Sequence, residues 1–267
     1  MDNNLAQKEQ NVLKRYVIIK DLSRVKRPET EDRIQAMFTS IARRYDLANS
    51  LMSFKKHYSW KRLTADIVQP KEGQVGIDVC AGTNDIALNL AKKVGPKGKI
   101  YALDFNEDMQ EIGRYKAVRN NLHRIIENIH GDAEQIPFED NSFDFLTIGT
   151  AARHLRVPNA LAEWYRVLKP GAAMACLEFY APPNRIRRSL YNWYLCRLMP
   201  KIGLLFTLDK IGSYDYLHDS IKVFYTESRF KELMEEAGFI DCNFTRLCGG
   251  IACIHWGVKP QPNLQTV

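Results

Sequence analysis

The sequence is poor in several features, and each lack narrows the reading. No apolar run reaches the roughly 18–20 residues that a membrane-spanning helix requires. The first ten residues, Met1–Gln10, are polar and carry Asp2 and Glu9. They have neither the apolar core of a secretion signal nor the acid-free, arginine-rich character of a transit peptide, so a cytoplasmic chain is expected. The six cysteines (Cys80, Cys176, Cys196, Cys242, Cys248 and Cys253) form no C-x-x-C pair and mostly sit in apolar runs, which reads as free, buried thiols. Clustered Cys/His spacing of the kind that holds zinc is missing, and no metal is expected. No basic run is interleaved with aromatics, so no nucleic-acid partner is expected. The net charge of +7 alone does not choose between a membrane surface and an acidic ligand. Internal repeats and low-complexity tracts are also missing.

What the chain does have is 267 residues, enough for one large α/β domain with a proper core. Residues 1–30 are polar and weakly patterned, a loose arm. From Glu31 the pattern turns helical: Ile34, Met37, Phe38, Ile41 and Tyr45 recur at three- and four-residue steps. Acidic Glu31 and Asp32 suit the first turn of that helix, and residues 31–70 read as a helical cap. A β–α alternation then begins. Strands are predicted over 75–80, 99–103, 125–129, 143–149 and 172–179, with helices over 84–94, 107–119 and 158–168. This order implies a doubly wound, Rossmann-like α/β sheet, mostly parallel and covered on both faces. Residues 180–225 break the rhythm and are rich in Tyr, Trp and Leu. The pattern resumes with a helix over 227–237, and then two strands, 242–247 and 251–258, joined through Gly249-Gly250 as a hairpin. One domain over 31–260, followed by a tail at 261–267, is the expected organisation.

Three strand ends carry candidate ligand contacts. The first strand runs into Ala81-Gly82-Thr83-Asn84-Asp85, a tight turn of small residues that lets a ligand approach the backbone. Asn84 stands where a last glycine is common, and Asn tolerates the left-handed conformation. Taken alone, this loop could equally be an ordinary βα turn. Asp104 ends the second strand just over twenty residues beyond Gly82, the distance at which an acidic residue meets ribose hydroxyls in such folds. A carboxylate there can accept two hydrogen bonds from a vicinal diol. Gly131-Asp132-Ala133-Glu134 follows the third strand, where an Asp can accept from an adenine amino group. Three such sites at consecutive strand ends share one crevice and point to a bound adenosine moiety. The loop has one glycine rather than G-x-G-x-x-G, and acidic Asp85 opens the next helix, where it would repel a pyrophosphate. Asp85 could instead bind the ammonium of an amino-acid tail, which favours S-adenosylmethionine over a dinucleotide.

These residues belong to longer stretches that are familiar as a set: MFTSIARRYDLANSLMSFKKHYSW (37–60), GIDVCAGTNDIA (76–87), GDAEQIPFEDNSFDFLTIG (131–149), YRVLKPG (165–171), LEF (177–179), SYDYLHDSI (213–221) and GGIACIHWGVKP (249–260). The sequence resembles the ubiquinone/menaquinone biosynthesis C-methyltransferase family. The resemblance implies transfer of a methyl group from S-adenosylmethionine to a ring carbon of a polyprenylated quinol. By motif position it implies cofactor contacts from Thr83, Asp104, Asp132, Ala133 and Gly149; Asp78, Gly82 and Asp85, on and after the first strand, complete the expected cofactor set. Tyr45 and Arg153 would face the substrate. After the fourth strand the family usually reads Phe-Gly-Leu-Arg-Asn, whereas this chain has Thr150-Ala151-Ala152-Arg153-His154.

Chemically, a ring carbon becomes nucleophilic when the hydroxyl beside it loses its proton. Arg153 could stabilise the resulting phenolate, but its guanidinium stays charged and is a poor base. His154 is the candidate base; a loop histidine bonded to backbone is the plainer alternative. Tyr45 is either an acceptor-orienting group or a core aromatic, and His255-Trp256 reads as packing. Residues 180–225 would cover the acceptor. There Arg185, Arg187, Arg188, Arg197 and Lys201 are interspersed with Tyr191, Trp193, Leu198 and Phe206. That mixture suits either peripheral contact with an anionic membrane or a lid or homodimer interface. A methyltransferase of another lipophilic phenol, and a non-catalytic relative that only binds S-adenosylmethionine, are the competing functional expectations.

Overall fold

The computed structural model describes residues 31–198 and 213–261. Seven strands form one sheet: β1 (Val75–Val79), β2 (Lys99–Asp104), β3 (Ile126–His130), β4 (Phe143–Gly149), β5 (Leu168–Phe179), β6 (Ile240–Leu247) and β7 (Ala252–Val258). Their spatial order is β3-β2-β1-β4-β5-β7-β6. The pairs among β1–β5 are parallel, and β7 runs antiparallel to both β5 and β6. The order reverses beside β1, which opens a crevice at the carboxyl ends of β1 and β4.

Alternation along the central strands explains how both faces are buried. Ile77, Val79, Leu103, Leu146, Ile148 and Met174 point into one core with Trp164 and Phe230. Their neighbours Ile100, Ala102, Phe145, Ala175 and Leu177 point into the other, with Leu90, Val94 and Trp60. Gly76 makes this second layer possible, because a Cβ there would sit 1.9 Å from the Phe145 ring.

The helices supply the covers. α1 (Glu31–Ile41), a single tight turn (Ala42–Arg44), α2 (Tyr45–Met52) and α3 (Lys56–Ile67) precede the sheet. α4 (Asp85–Val94) and α5 (Glu107–Arg119) follow β1 and β2. Asn106 caps α5 by accepting from the Met109 N–H at 3.0 Å. α6 (Val157–Val167) starts with Pro158 in its first turn. Its Trp164 indole N–H donates to the Ala133 carbonyl at 3.0 Å, tying it to the loop after β3. At its other end Lys259, just past β7, donates to the carbonyls of Tyr165 and Leu168 at 2.8 and 2.7 Å and so satisfies orphaned helix-end acceptors.

Most sequence-predicted boundaries fall within a residue or two. The exception is β5, which begins at Leu168 rather than at 172, with a register irregularity opposite Phe143. Within 180–225 the described chain is helical: α7 (Arg185–Trp193) continues into a wider turn over Tyr194–Leu198, and α8 is Ser213–Val223. Part of that insertion, including Lys201 and Phe206, lies outside the described residues, as do the 1–30 arm and 262–267. α9 (Glu227–Glu236) completes the fold.

Candidate active site

One cleft of about 860 Å³, measured to its open mouth, lies over the carboxyl ends of β1–β4. Its floor is built from strand ends: Cys80 and Gly82 after β1, Asp104 to Asn106 at β2, Gly131 to Ala133 after β3, and Gly149 to Ala151 after β4. Its walls come from Ile34 and Phe38 of α1, Tyr45 of α2, Met109 of α5, and His154 with Leu155. Of the sequence-predicted residues, Tyr45, Gly82, Asp104, Asp132, Ala133, Gly149 and His154 therefore line one space. Asp78, Thr83, Asp85 and Arg153 are not among its lining residues.

Asp104 is the buried acceptor of the cleft, 7% exposed. Its carboxylate accepts the Gly82 N–H at 2.7 Å and the Asn106 N–H at 2.8 Å. Burial pushes its pKa up, and the Asn106 and Gly82 N–H groups pull against that rise. Two carboxylate oxygens offer about four acceptor positions, so capacity for ribose hydroxyls remains. Asp132 shapes its own turn by accepting from the Glu134 N–H at 2.9 Å. Glu134 in turn accepts from the Arg156 N–H at 2.9 Å and from its Nε at 2.6 Å.

Four expected contacts are relocated. Asp78 lies beneath the loop, accepting from the Thr147 hydroxyl at 2.7 Å and the Ala87 N–H at 3.1 Å. It clamps β1 to β4 and to the first turn of α4. Burial lifts its pKa to about 7, with those two donors opposing the rise.

Asp85, expected to hold a ligand ammonium, already faces two. Lys61 donates to it at 2.7 Å, and Lys116 makes a close ion pair with its other oxygen. Burial alone would raise the Asp85 carboxyl, but Lys61 and Lys116 outweigh it and hold the pKa near 2. Thr83 donates to Asp46 at 2.7 Å, and Lys116 reaches the other Asp46 oxygen at 2.9 Å. This cluster pins α2 and α3 of the helical cap to the cofactor loop. Lys61, Lys116 and Asp46 escaped the sequence reading because their spacing of 15 and 55 residues carries no local pattern.

The loop itself depends on Asn84, whose φ of 65° is left-handed. Its side-chain amide exchanges hydrogen bonds with Asn128 of β3 at 3.1 and 3.2 Å. α5 passes close above it at Gly113, where a Cβ would lie 2.6 Å from the Asn84 Cγ.

Arg153 does not project into the cleft. Its Nη1 donates to Glu178 at 2.5 Å and to the Thr150 carbonyl at 2.6 Å, and its Nε donates to Ser220 at 3.2 Å. Its own N–H reaches the second Glu178 oxygen at 3.1 Å. Glu178 is fully buried, so this is an internal ion pair that holds the Thr150–His154 loop. Thr150, a β-branched residue at φ 58°, is locally strained there. His154, next to Arg153, lines the cleft, with the Phe38 ring edge-on at 5.6 Å. Burial, reinforced by the Arg153 charge, holds the His154 imidazole well below its ordinary pKa, so it stays neutral.

The residues present fit an S-adenosyl ligand: a buried carboxylate at the end of β2, an acidic turn after β3, and apolar walls from Ile34, Met109 and Ala133. No cluster of three or more metal-ligating side chains occurs among the described residues. Sheet order and cleft together define an S-adenosylmethionine-dependent methyltransferase. Solved structures of that class share the fold. An Aquifex aeolicus S-adenosylmethionine-dependent methyltransferase superposes with a TM-score of 0.58 at 20% identity, covering 83% of this chain and 98% of that one. A Thermotoga maritima methyltransferase described as a possible histamine N-methyltransferase gives 0.57 at 19%, covering 84% and 99%. The ubiE/COQ5 methyltransferase family model matches residues 26–259. Demethylmenaquinone methyltransferases of Staphylococcus aureus strains JH9 and Newman are each 36% identical over 236 residues, covering 87% of this chain and 95% of theirs. The chain belongs to the ubiE/COQ5 methyltransferase family, and S-adenosylmethionine is its methyl donor.

Proposed function

We propose that this enzyme methylates a ring carbon of a polyprenylated quinol of the demethylmenaquinol type. The Staphylococcus aureus relatives are named demethylmenaquinone methyltransferases, which supports this acceptor. The observation that carries the chemistry is the position of the His154 imidazole on the wall of the cleft that holds Asp104 and Asp132. When bound, the cofactor supplies an electrophilic methyl on a sulfonium. The chain's residues do the rest. Asp104 holds the ribose hydroxyls, and Asp132 with Ala133 holds the adenine edge. Gly82 and Gly149 keep the floor low, and Tyr45 orients the acceptor ring. His154 accepts a hydrogen bond from the ring hydroxyl beside the carbon that gains the methyl, and takes its proton only as that carbon attacks. The carbon's own hydrogen leaves as a proton to solvent when the ring regains aromaticity, and His154 returns the proton it holds to the ring oxygen, leaving S-adenosylhomocysteine as the spent donor. Closing the cleft with Ile34 and Phe38 keeps competing water out.

Asp78, Thr83 and Asp85 support this site from behind, by fixing the loop. Arg153 acts as a positioning residue, placing the loop that bears Thr150 and His154. We take residues 31–260 as the catalytic unit and the enzyme as a peripheral visitor to the membrane that carries its substrate. A second reading, methylation of a different lipophilic phenol, draws on one observation: strained Thr150 and small Ala151 line the cleft where the family usually has Phe-Gly.

The test is methyl transfer from S-adenosylmethionine to demethylmenaquinol in detergent, read by product mass. His154→Gln should lower kcat by about 100-fold, the typical yield of a positioned base, with little change in S-adenosylhomocysteine binding. Because burial holds the imidazole neutral, the wild-type rate should show no loss of activity assignable to His154 protonation near its ordinary pKa. Equal kcat for His154→Gln and wild type removes His154 as the base, and no transfer to any quinol removes the acceptor class.

A further inference from the structure

Away from the cleft, two elements present bare apolar side chains on one surface. α7 buries Tyr191, while Ile186, Leu190 and Trp193, spaced as one helical stripe, are 81%, 67% and 57% exposed. The turn between α2 and α3 projects Phe54, which is 78% exposed. That turn is built rather than slack. Phe54 and Lys55 both adopt left-handed φ, 50° and 61°. The Lys55 N–H donates to Ser50 O at 2.8 Å, the Lys56 N–H to Ser53 O at 3.0 Å, and the Ser53 hydroxyl to Asn49 O at 2.6 Å. The two elements are tied together, because the Tyr194 hydroxyl donates to Met52 O at 3.0 Å. Phe54, Trp60, Leu190 and Trp193 line one apolar groove between them.

On the two elements that carry these side chains, the described charges have one sign. Exposed Lys55 and Lys56 flank Phe54, and exposed Arg185 and Arg187 flank the α7 stripe. Residues 47–65 and 179–198 contain no Asp or Glu. A second copy docked here about a two-fold axis would set cation against cation. An anionic bilayer complements both the charge and the apolar crest.

We propose that the Phe54 turn and the exposed stripe of α7 form a single membrane-docking face. Phe54, Ile186, Leu190 and Trp193 enter the headgroup–acyl boundary of an anionic bilayer, and the groove between them opens to the hydrocarbon. The inference rests on the quinol reading only for its purpose, delivery of a lipid-borne acceptor; the docking is read from the surface itself.

Flotation of the full chain with vesicles tests it, comparing phosphatidylcholine alone with an equimolar mixture of phosphatidylcholine and phosphatidylglycerol. The wild type should float with the mixture and not with phosphatidylcholine alone. Trp193 fluorescence should shift to the blue, since Trp60 and Trp164 are buried and Trp256 partly so. Phe54→Asp and Leu190→Asp should each weaken binding by about tenfold or more, and Lys55→Gln/Lys56→Gln should weaken it on anionic vesicles. All three variants should keep wild-type melting temperature and wild-type turnover of a short-chain, water-soluble quinol. Wild type that stays unbound, or Asp variants that float as well as wild type, overturns the proposal. So does a wild-type dimer that Leu190→Asp dissociates without altering flotation. If vesicles bind but no quinol is methylated, the acceptor assignment falls and the docking face stands.

Discussion

Glu178→Ala removes the buried partner of Arg153 and leaves a guanidinium enclosed without its counter-charge. Glu178 is fully buried, and the Arg153 side chain is only 7% exposed. Breaking a buried pair by deleting one member costs about 3–5 kcal/mol, because the remaining charge keeps its desolvation penalty. For a chain of this size each kcal/mol moves the melting temperature by roughly 2–4 °C, so a drop on the order of 10 °C is expected. The effect should also reach the cleft. Glu178 accepts two hydrogen bonds from Arg153, and Arg153 holds the Thr150 carbonyl, so the strained loop relaxes and S-adenosylhomocysteine affinity falls with stability. The assays are urea unfolding, for the free energy, and titration calorimetry, for the ligand. Arg153→Met/Glu178→Met is the control: with neither charge left to bury, it should be more stable than Glu178→Ala. A Glu178→Ala protein within about 1 kcal/mol of wild type would refute the view that this pair holds the loop.

Two further outcomes follow from the site. Asp104→Asn should cost about 1.5–3 kcal/mol of ligand binding, one charge-assisted hydrogen bond, and so weaken S-adenosylhomocysteine by roughly 10- to 150-fold in calorimetry; unchanged affinity would remove Asp104 from the ribose. Asp78, lifted from 3.8 to about 7, favours its protonated form in the folded state. Its contribution is therefore complete below pH 3.8 and is lost as pH rises through about 7, withdrawing on the order of 4 kcal/mol. The stability of wild type relative to Asp78→Asn should accordingly decline between about pH 4 and pH 8, and a flat difference in urea unfolding would sink the assignment.

Most of the sheet was legible because its strands are short apolar runs punctuated by turn residues, and because the acids that matter sit at strand ends. Asp104 and Asp132 could be placed in one crevice from spacing alone. Side-chain direction could not. Asp85 and Arg153 occur where ligand contacts are expected, yet their charges are spent internally, on Lys61 and Lys116 in one case and on Glu178 in the other. Glu178 did leave a signal, an acid inside the apolar stretch Leu177–Phe179, and such a residue calls for a buried cation. Ile34 and Phe38 were visible as an apolar helical face, but not as a wall of the cleft, since periodicity shows that a face is buried and not what it is buried against. β5 was read short because Lys169, Pro170 and Gly171 look like a turn, and Gly171 does take a positive φ of 82°; hydrogen bonds such as Gly171 N–H to Lys259 O at 2.7 Å, just past β7, keep the segment in the sheet.

The packing of Asn84 against Gly113 and Asn128 has an evolutionary corollary. The cofactor loop does not end in the residue that would leave α5 unconstrained, so three positions, on three different elements, now form one heritable unit. Gly113 cannot gain even a methyl while Asn84 stays, and Asn128 is bound to its amide partner in the same way. Glycine in place of Asn84 would release both at once. Drift at any one of the three alone would be felt first as a misshapen cofactor loop, well before it was felt as a loss of fold.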